Sequence, residues 1–370
     1  MFQSEDHRFM AQALVLARMG RYSTPPNPSV GCVIVKDGLV VGEGYHVATG
    51  GPHAEAAALK VAGDAARGAT AYVTLEPCAH HGRTPPCAEA LRMAGIARVV
   101  VAVRDPNPDV AGGGIEVLEK AGIRTEVGLL QRDAEDLNRG FFSRMRHGRP
   151  WATLKIGASL DGRSALANGR SQWITGDAAR RDVQRLRARA SAILTGVGTA
   201  LADDPRLTVR DDTLQTRGRQ PLRVVLDSSL RLSAQSRLAS AEAPTLVFTA
   251  RESMIRATAL LARGVAVESV DRTAAGLDLG RCMRRLAELG CNEVLIEAGP
   301  RLAGAMLSEG RVDEVVLYVA PLMLGDDAQP MLRLPLIDDM NQRREFELLD
   351  SRHVGRDLRL SLRPQKEIGA

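Results

Sequence analysis

The chain predicts a two-domain α/β protein with a layered sheet. Short β-rich runs alternate with helical stretches along most of its length. Its 370 residues suggest two domains, or three, and either half is long enough to bury its own core. A basic segment ending in proline, GFFSRMRHGRP at 140–150, interrupts the pattern. The domain boundary is placed there, giving domains 1–147 and 148–370.

In the first half, Phe9, Ala13, Leu16 and Ala17 recur at helical spacing over 5–19. Val30–Val35 and Leu39–Gly44 are β-rich and joined by Lys36-Asp37-Gly38, and Asp-Gly between apolar runs predicts a hairpin. Pro52 precedes an Ala-rich helix from His53 to about Ala66. Then come a strand over Ala71–Leu75, a loop over Glu76–Pro86, a helix over Cys87–Ala94 and a strand over Arg98–Val103. Ile115–Ala121 reads as a helix and Arg124–Val127 as the last strand.

In the second half, strands are expected at Trp151–Ile156, Ala192–Thr195, Arg223–Leu226, Thr245–Thr249, Val265–Val270, Glu293–Glu297 and Val312–Val319. Helices are expected at Asp177–Ala190, Leu279–Leu289 and Arg301–Glu309. Phe346–Leu362 alternates enough for one or two more strands, and no internal repeat is visible.

Composition narrows the function classes. Residues are 45% hydrophobic and 25% charged, an ordinary globular balance. Aromatics are only 3%, so stacking platforms for single-stranded nucleic acid are poorly supplied. The net charge of +5 and pI of about 9.1 come from a dispersed arginine excess, clustered at Arg144–Arg149 and Arg180–Arg189. Solvated faces and a few anion sites account for it better than a nucleic-acid surface, and a phosphorylated small molecule would suit such sites. The five cysteines are odd in number in a long chain, which argues against a disulfide framework. MFQSEDHRFM does not read as a signal peptide, and no apolar run approaches ~18 residues. A reducing cytoplasm is expected, where thiolates stay available.

The most informative stretch is Pro52–Cys87: P-H-A-E at 52–55, E-P-C at 76–78 and P-P-C at 85–87. His53, Cys78 and Cys87 supply one imidazole and two thiolates, a set suited to a catalytic Zn²⁺ with one position open to water. Glu55, two residues from His53, can sit beside that water without being a ligand. A closed structural clip would need a fourth ligand; no cysteine is near, although His80 and His81 lie in the loop. His53 and Cys87 both open helices, where the dipole favours a thiolate. H-x-E joined to P-C…C is the pattern of zinc deaminases. Many of these space their cysteines C-x-x-C, whereas here eight residues, AHHGRTPP, intervene.

T-L-E-P-C-A-H-H-G-R-T-P-P-C, with N-P-S-V-G at 27–31, G-E-G-Y-H at 42–46 and D-P-N-P at 105–108, resembles the deaminase half of the bifunctional riboflavin-biosynthesis deaminase–reductase family. The resemblance implies a cytidine-deaminase-like three-layer αβα domain in which His53, Cys78 and Cys87 hold zinc and Glu55 moves protons. Asn27, His46, His80, Arg83, Asp105 and Asn107 would line the pocket of a phosphorylated pyrimidine. Asn27, Asp105 and Asn107 could instead be turn residues. Arg83 beside the zinc loop suits a phosphate.

The second half continues the resemblance through L-K-I-G-A-S-L-D-G-R at 154–163, S-Q-W-I-T at 171–175, R-R-D-V-Q-R-L-R at 180–187, G-V-G-T-A-L-A-D-D-P-R-L-T-V-R at 196–210 and E-A-G-P-R-L-A-G-A at 297–305. These blocks resemble the family's dihydrofolate-reductase-like domain, which uses NADPH. No G-x-G-x-x-G fingerprint is present at the glycine-rich turn, so an ordinary Rossmann domain is rejected. The resemblance implies substrate contacts from Ser171, Arg187, Leu207, Arg210 and Glu297. It implies cofactor contacts from Ala158, Trp173, Thr199, Ser228 and Gly299, Pro300, Arg301, Leu302, Ala303, Gly304 and Ala305, with Asp203 between cofactor and substrate. Lys155 is the candidate for polarising or protonating the sugar carbon as hydride arrives. Arg187 could be solvated helix charge, Leu207 simple packing and Trp173 core. Arg251 is a candidate for the NADPH 2′-phosphate. A homodimer through the reductase domain is expected, with no nucleic-acid or membrane partner. The rival reading is a tRNA-type nucleic-acid zinc deaminase with an added binding domain.

Overall fold

The computed structural model describes residues 2–79, 86–108, 111–250, 254–274 and 276–365. The chain folds into two compact units, Met1–Arg149 and Pro150–Ala370.

The first unit begins with α1 (Ser4–Met19), β1 (Gly31–Lys36) and β2 (Leu39–Tyr45). Asp37 and Gly38 both have positive φ, +50° and +77°, as a two-residue turn between twisted strands requires. α2 (Ala54–Ala62) runs on into a 3₁₀ turn over Gly63–Ala66, so the expected Ala-rich helix tightens at its end. β3 (Thr70–Val73), α3 (Cys87–Met93), β4 (Arg98–Val101), α4 (Gly113–Lys120) and β5 (Arg124–Val127) follow. The sheet order is β2-β1-β3-β4-β5, antiparallel around β1 and parallel from β3 to β5.

Two further helices, α5 (Gln131–Leu137) and α6 (Arg139–His147), were not expected. The basic segment taken as a separator is therefore α6, whose Phe141 and Phe142 are buried while Arg146 is exposed and Arg139 and Arg144 are half-buried. Strand alternation sorts the core into two layers. Ile34, Ala71, Val73, Val99 and Val101 pack with Ala58, Leu91 and Leu118 of α2, α3 and α4. Val33, Val35, Tyr72 and Val100 pack with Phe9, Ala13, Phe141 and Phe142 of α1 and α6. The result is a three-layer αβα sandwich.

The second unit contains β6 (Trp151–Ser159), β7 (Arg163–Ala165), α7 (Asp177–Arg189), β8 (Ala192–Gly196), α8 (Val197–Asp203), β9 (Leu222–Leu226), β10 (Thr245–Thr249) and α9 (Met254–Leu261). It continues with β11 (Ala266–Ser269), β12 (Arg272–Thr273), β13 (Gly276–Leu277), α10 (Leu279–Glu288), β14 (Glu293–Ile296), α11 (Pro300–Ser308), β15 (Glu314–Ala320), β16 (Gln329–Pro330), β17 (Phe346–Val354) and β18 (Asp357–Pro364). The main sheet has the order β11-β10-β9-β8-β14-β6-β15-β18-β17, parallel up to β15 and closed by the antiparallel β17–β18 hairpin. α8 was missed because it is short and follows β8 directly with no side-chain cap at Gly196, and α9 because it is short. Leu154, Leu194, Val224, Phe248, Val294 and Ile296 pack with Met283, Leu286 and Met306 on one face. Ile193, Val225, Val247 and Leu295 pack with Leu260 on the other.

Candidate active sites

In the first unit, β3 and β4 end at the same sheet edge, and the chain leaving β2 enters α2 there. His53 is the N-cap of α2, Glu55 lies in its first turn and Cys87 is the first residue of α3. Cys78 follows β3, and its Sγ accepts the Cys87 amide at 3.4 Å. His53 Nδ1 lies 3.2 Å from Cys87 Sγ and 3.7 Å from Cys78 Sγ, and the donor atoms of the three residues lie within 4.8 Å of one another. A tetrahedral zinc with ordinary Zn–N and Zn–S lengths separates N and S by about 3.5 Å. Donor chemistry and spacing therefore both fit the ion.

The electrostatics agree. The neighbouring Cys87 holds the Cys78 thiol down to about 4 against its partial burial, with His53 assisting. Cys87 is pushed up, by Cys78 and by burial. His53 is raised, chiefly by its bond to Cys78. Glu55 is buried, and that burial raises its carboxyl to about 7, partly opposed by hydrogen bonding at the helix start and by His53. A carboxyl in this range can both take and return a proton near neutrality.

His46 stands beside His53 with ring centroids 5.6 Å apart, edge to face. Its Nδ1 donates to Pro52 O at 3.0 Å, which leaves Nε2 to accept from Asn27 Nδ2 at 3.1 Å. Burial lowers the pKa of His46, keeping the ring neutral for this role. Asp105 and Asn107 follow β4, and Asp105 Oδ1 accepts the Asn107 amide at 2.8 Å, the turn bond their proline-flanked sequence allows. His80 and Arg83 lie outside the described residues.

In the second unit, Lys155 on β6, Glu297 at the end of β14 and Arg187 on α7 meet. Arg187 Nε and a terminal nitrogen donate to the two Glu297 oxygens at 2.6 and 3.0 Å, and Lys155 Nζ lies 3.5 Å from Glu297 Oε2. Arg187 also donates to Thr208 O at 3.2 Å. It is buried, so it is not the solvated helix charge that its Arg-rich surroundings allowed. Burial pushes the Glu297 carboxyl up, but Arg187 and then Lys155 more than reverse this and hold it at about 2. Arg210 Nη1 reaches Thr208 Oγ1 at 3.4 Å. Asp204 and Leu207 take positive φ, +40° and +48°, in the segment that also bears Asp203. Such left-handed conformations in non-glycine residues are strained and gather at functional segments. The Leu207 side chain is packed in the core, as its bland alternative held.

Around the glycine-rich turn, Thr199 Oγ1 accepts the Gly299 amide at 3.1 Å. Gly299 caps α11 and Pro300 opens it, leaving the helix start suited to an anionic cofactor group. Further along the block the reason for the residues changes. Ala303 belongs to the core, and a Cβ on Gly304 would stand 1.8 Å from Arg333 O, so that glycine permits backbone packing. Arg301 is exposed, and Leu302 and Ala305 are half-buried. Ala158 is buried within β6 and Ser228 follows β9. Ser171 and Trp173 lie in the segment before α7; Trp173 is 65% exposed, with the Arg180 guanidinium 4.4 Å from its ring centroid, so it is not core. Arg251 is outside the described residues.

Comparison with known proteins bears on both units. Residues 3–103 match the cytidine and deoxycytidylate deaminase zinc-binding region, and residues 150–360 match the RibD C-terminal domain. Over 97% of this chain and 99% of the relative, it is 49% identical to riboflavin biosynthesis protein RibD of Escherichia coli. The Haemophilus influenzae RibD is 43% identical over 98% of this chain and 99% of its own length. The chain belongs to the RibD family.

Among solved structures, Acinetobacter baumannii RibD superposes with a TM-score of 0.90 at 45% identity, covering 98% of this chain and 99% of that one. A Thermotoga maritima diaminohydroxyphosphoribosylaminopyrimidine deaminase/5-amino-6-(5-phosphoribosylamino)uracil reductase gives 0.85 at 33% identity, covering 98% and 99%. As a RibD protein the chain is a bifunctional enzyme of riboflavin biosynthesis, a zinc-dependent deaminase joined to an NADPH-dependent reductase. The RibD match over the second unit favours this over a nucleic-acid deaminase with an added binding domain. Among the described residues, no helix is long and apolar enough to cross a membrane.

Sequence reasoning missed two supporting side chains in the deaminase unit. Asn138, buried between α5 and α6, accepts the Ser29 amide at 2.7 Å and donates to Ser29 O at 2.9 Å, fixing the turn that carries Asn27. Glu76, quoted within E-P-C but given no role, is the other. Asn138 is far from Ser29 in the chain and nothing local marks it; Glu76 could have been found by asking why a carboxylate stands beside a ligand cysteine.

Proposed function

We propose that the first unit deaminates 2,5-diamino-6-(5-phosphoribosylamino)pyrimidin-4(3H)-one and that the second reduces the ribosyl group of the product to ribityl with NADPH. The convergence of His53, Cys78 and Cys87 beside the buried Glu55 carries the deaminase assignment. Those three residues would hold the zinc, which when bound would supply an activated water. Glu55 would take one proton from that water and pass it to the ring nitrogen as oxygen bonds to the ring carbon, then take the second proton from the added hydroxyl and pass it to the amine, which leaves as ammonia. Asn27, His46, Asp105 and Asn107, with His80 and Arg83, line the pyrimidine and phosphate pocket.

For the reduction, Lys155, ion-paired with Glu297, sets a cation beside the sugar carbon that receives hydride. Ser171, Arg187, Leu207, Arg210 and Glu297 shape the substrate side. Ala158, Trp173, Thr199, Ser228 and the 299–305 turn shape the NADPH side, with Asp203 between. The functional boundary lies at 147/148. The enzyme works in the cytoplasm as a homodimer through the reductase unit; the exposed outer strand β17, with Leu348 and Leu349, supports that surface.

The deciding experiment follows both products from the aminopyrimidine substrate. Ammonia should appear without NADPH, and NADPH oxidation should require the deaminated product. Chelation should stop the first and spare reduction of supplied intermediate. Ammonia release that survives complete zinc removal would end the deaminase assignment.

A further inference from the structure

Glu76 follows β3 and is 3% exposed. Its backbone is fixed by donation to Val103 O at 3.0 Å, at the exit of β4. Its carboxyl oxygens accept three main-chain amides from one segment: Oε2 from Asp105 at 3.2 Å and Gly112 at 3.1 Å, and Oε1 from Ile115 at 3.3 Å. Two of those amides belong to the start of α4, where main-chain donors lack helical partners. The third is the amide of Asp105 itself. The next residue is an abutment: a Cβ on Gly114 would stand 1.7 Å from Pro77 O, so α4 rests directly on this turn. The residue after that is Cys78, whose carbonyl accepts the Ala88 amide at 3.2 Å. Consecutive residues thus clasp Asp105 and the start of α4, seat that helix and present the Cys78 sulfur.

We propose that Glu76 is a positioning residue of the deaminase, setting the Asp105–Asn107 wall of the pyrimidine pocket at a fixed distance from the metal ligands. The proposal rests on the reading of Asp105 and Asn107 as substrate contacts. Glutamate suits the task because it offers two acceptor oxygens on a side chain long enough to reach three amides. Glutamine keeps the length but turns an N–H₂ toward an N–H, losing at least one bond and opposing donors. Aspartate keeps both oxygens but draws them back by one methylene.

The test uses the zinc-loaded full chain with Glu76→Gln, Glu76→Asp and Glu76→Ala. KM for the aminopyrimidine should rise about tenfold for Glu76→Gln and further for Glu76→Ala, the scale of one to two lost buried hydrogen bonds. Deaminase kcat at saturation should stay within about threefold. Zinc should remain at one per chain, and NADPH oxidation with supplied intermediate should be unchanged. Should Glu76→Ala fail to fold, Glu76→Gln and Glu76→Asp still decide. An unchanged KM in either of those, or a loss confined to kcat or to zinc content, overturns the proposal. Asp105→Ala and Asn107→Ala are measured alongside. If they raise KM while Glu76→Gln does not, only the positioning role fails. If neither raises KM, the substrate-wall reading falls and takes the proposal with it.

Discussion

The deaminase and reductase centres are assembled from sequence in opposite ways. The three residues that could hold the metal and Glu55, the proposed proton carrier, lie within 53–87, on the N-termini of α2 and α3 and the turn after β3. The reductase cluster draws Lys155, Arg187 and Glu297 from β6, α7 and the end of β14, separated by long stretches of chain. A metal demands particular donor atoms at fixed spacing, so its site leaves a compact signature. A field for hydride transfer demands only charge of the right sign near the reacting carbon, and charge can come from any strand the sheet brings close.

The sharpest way to break this contrast is Glu55→Gln. Zinc content should be retained and ammonia release should fall by about 10²–10⁴-fold. NADPH oxidation with supplied intermediate should be untouched. Near-normal deamination would remove Glu55 from the mechanism.

Glu297→Ala should cost the second unit about 3–5 kcal/mol by leaving the buried Arg187 unpaired, read as a lowered denaturation midpoint. Its pH dependence has a definite sign. Glu297 is held at about 2, below its ordinary 4.5, so its stabilisation is full above pH 4.5 and is lost as pH falls toward 2. Glu297→Gln should flatten the stability profile in that window, and a profile parallel to wild type would show that the pair does not carry it.

Lys155→Ala should lower NADPH oxidation by about 10²-fold with deamination preserved. Equal loss of both activities would point to misfolding. The smallest effect is expected from Asn138→Ala, which removes two bonds to Ser29 and should raise KM for the aminopyrimidine by the equivalent of about 1–3 kcal/mol. An unchanged KM would show that the Asn27 turn holds without it.

Legibility followed the same division. Strands with β-rich alternation and the Asp37-Gly38 hairpin were readable because side-chain periodicity and turn chemistry are local. Helices α5, α6, α8 and α9 were not, since their apolar faces are narrow and only packing against the sheet makes them stable. In the site, Glu55 and the ligands were legible from spacing, whereas Asn138 and Glu76 act through backbone groups distant in sequence. The glycine-rich block shows the limit well: Gly299 stands at the helix start, but Gly304 is explained by Arg333, which no local pattern reveals.

By itself the sequence determined the metal chemistry, the two-part α/β organisation and the family blocks, because donor identity, periodicity and turn residues are properties of short segments. Only the tertiary structure decided that Arg187 is buried against Glu297, that His46 is oriented by Asn27 and Pro52, and that Glu76 clasps the loop after β4. Apart from the His46–Pro52 bond, which spans only six residues, those bonds join groups well separated along the chain, and hydrogen bonding and ion pairing depend on distance in space.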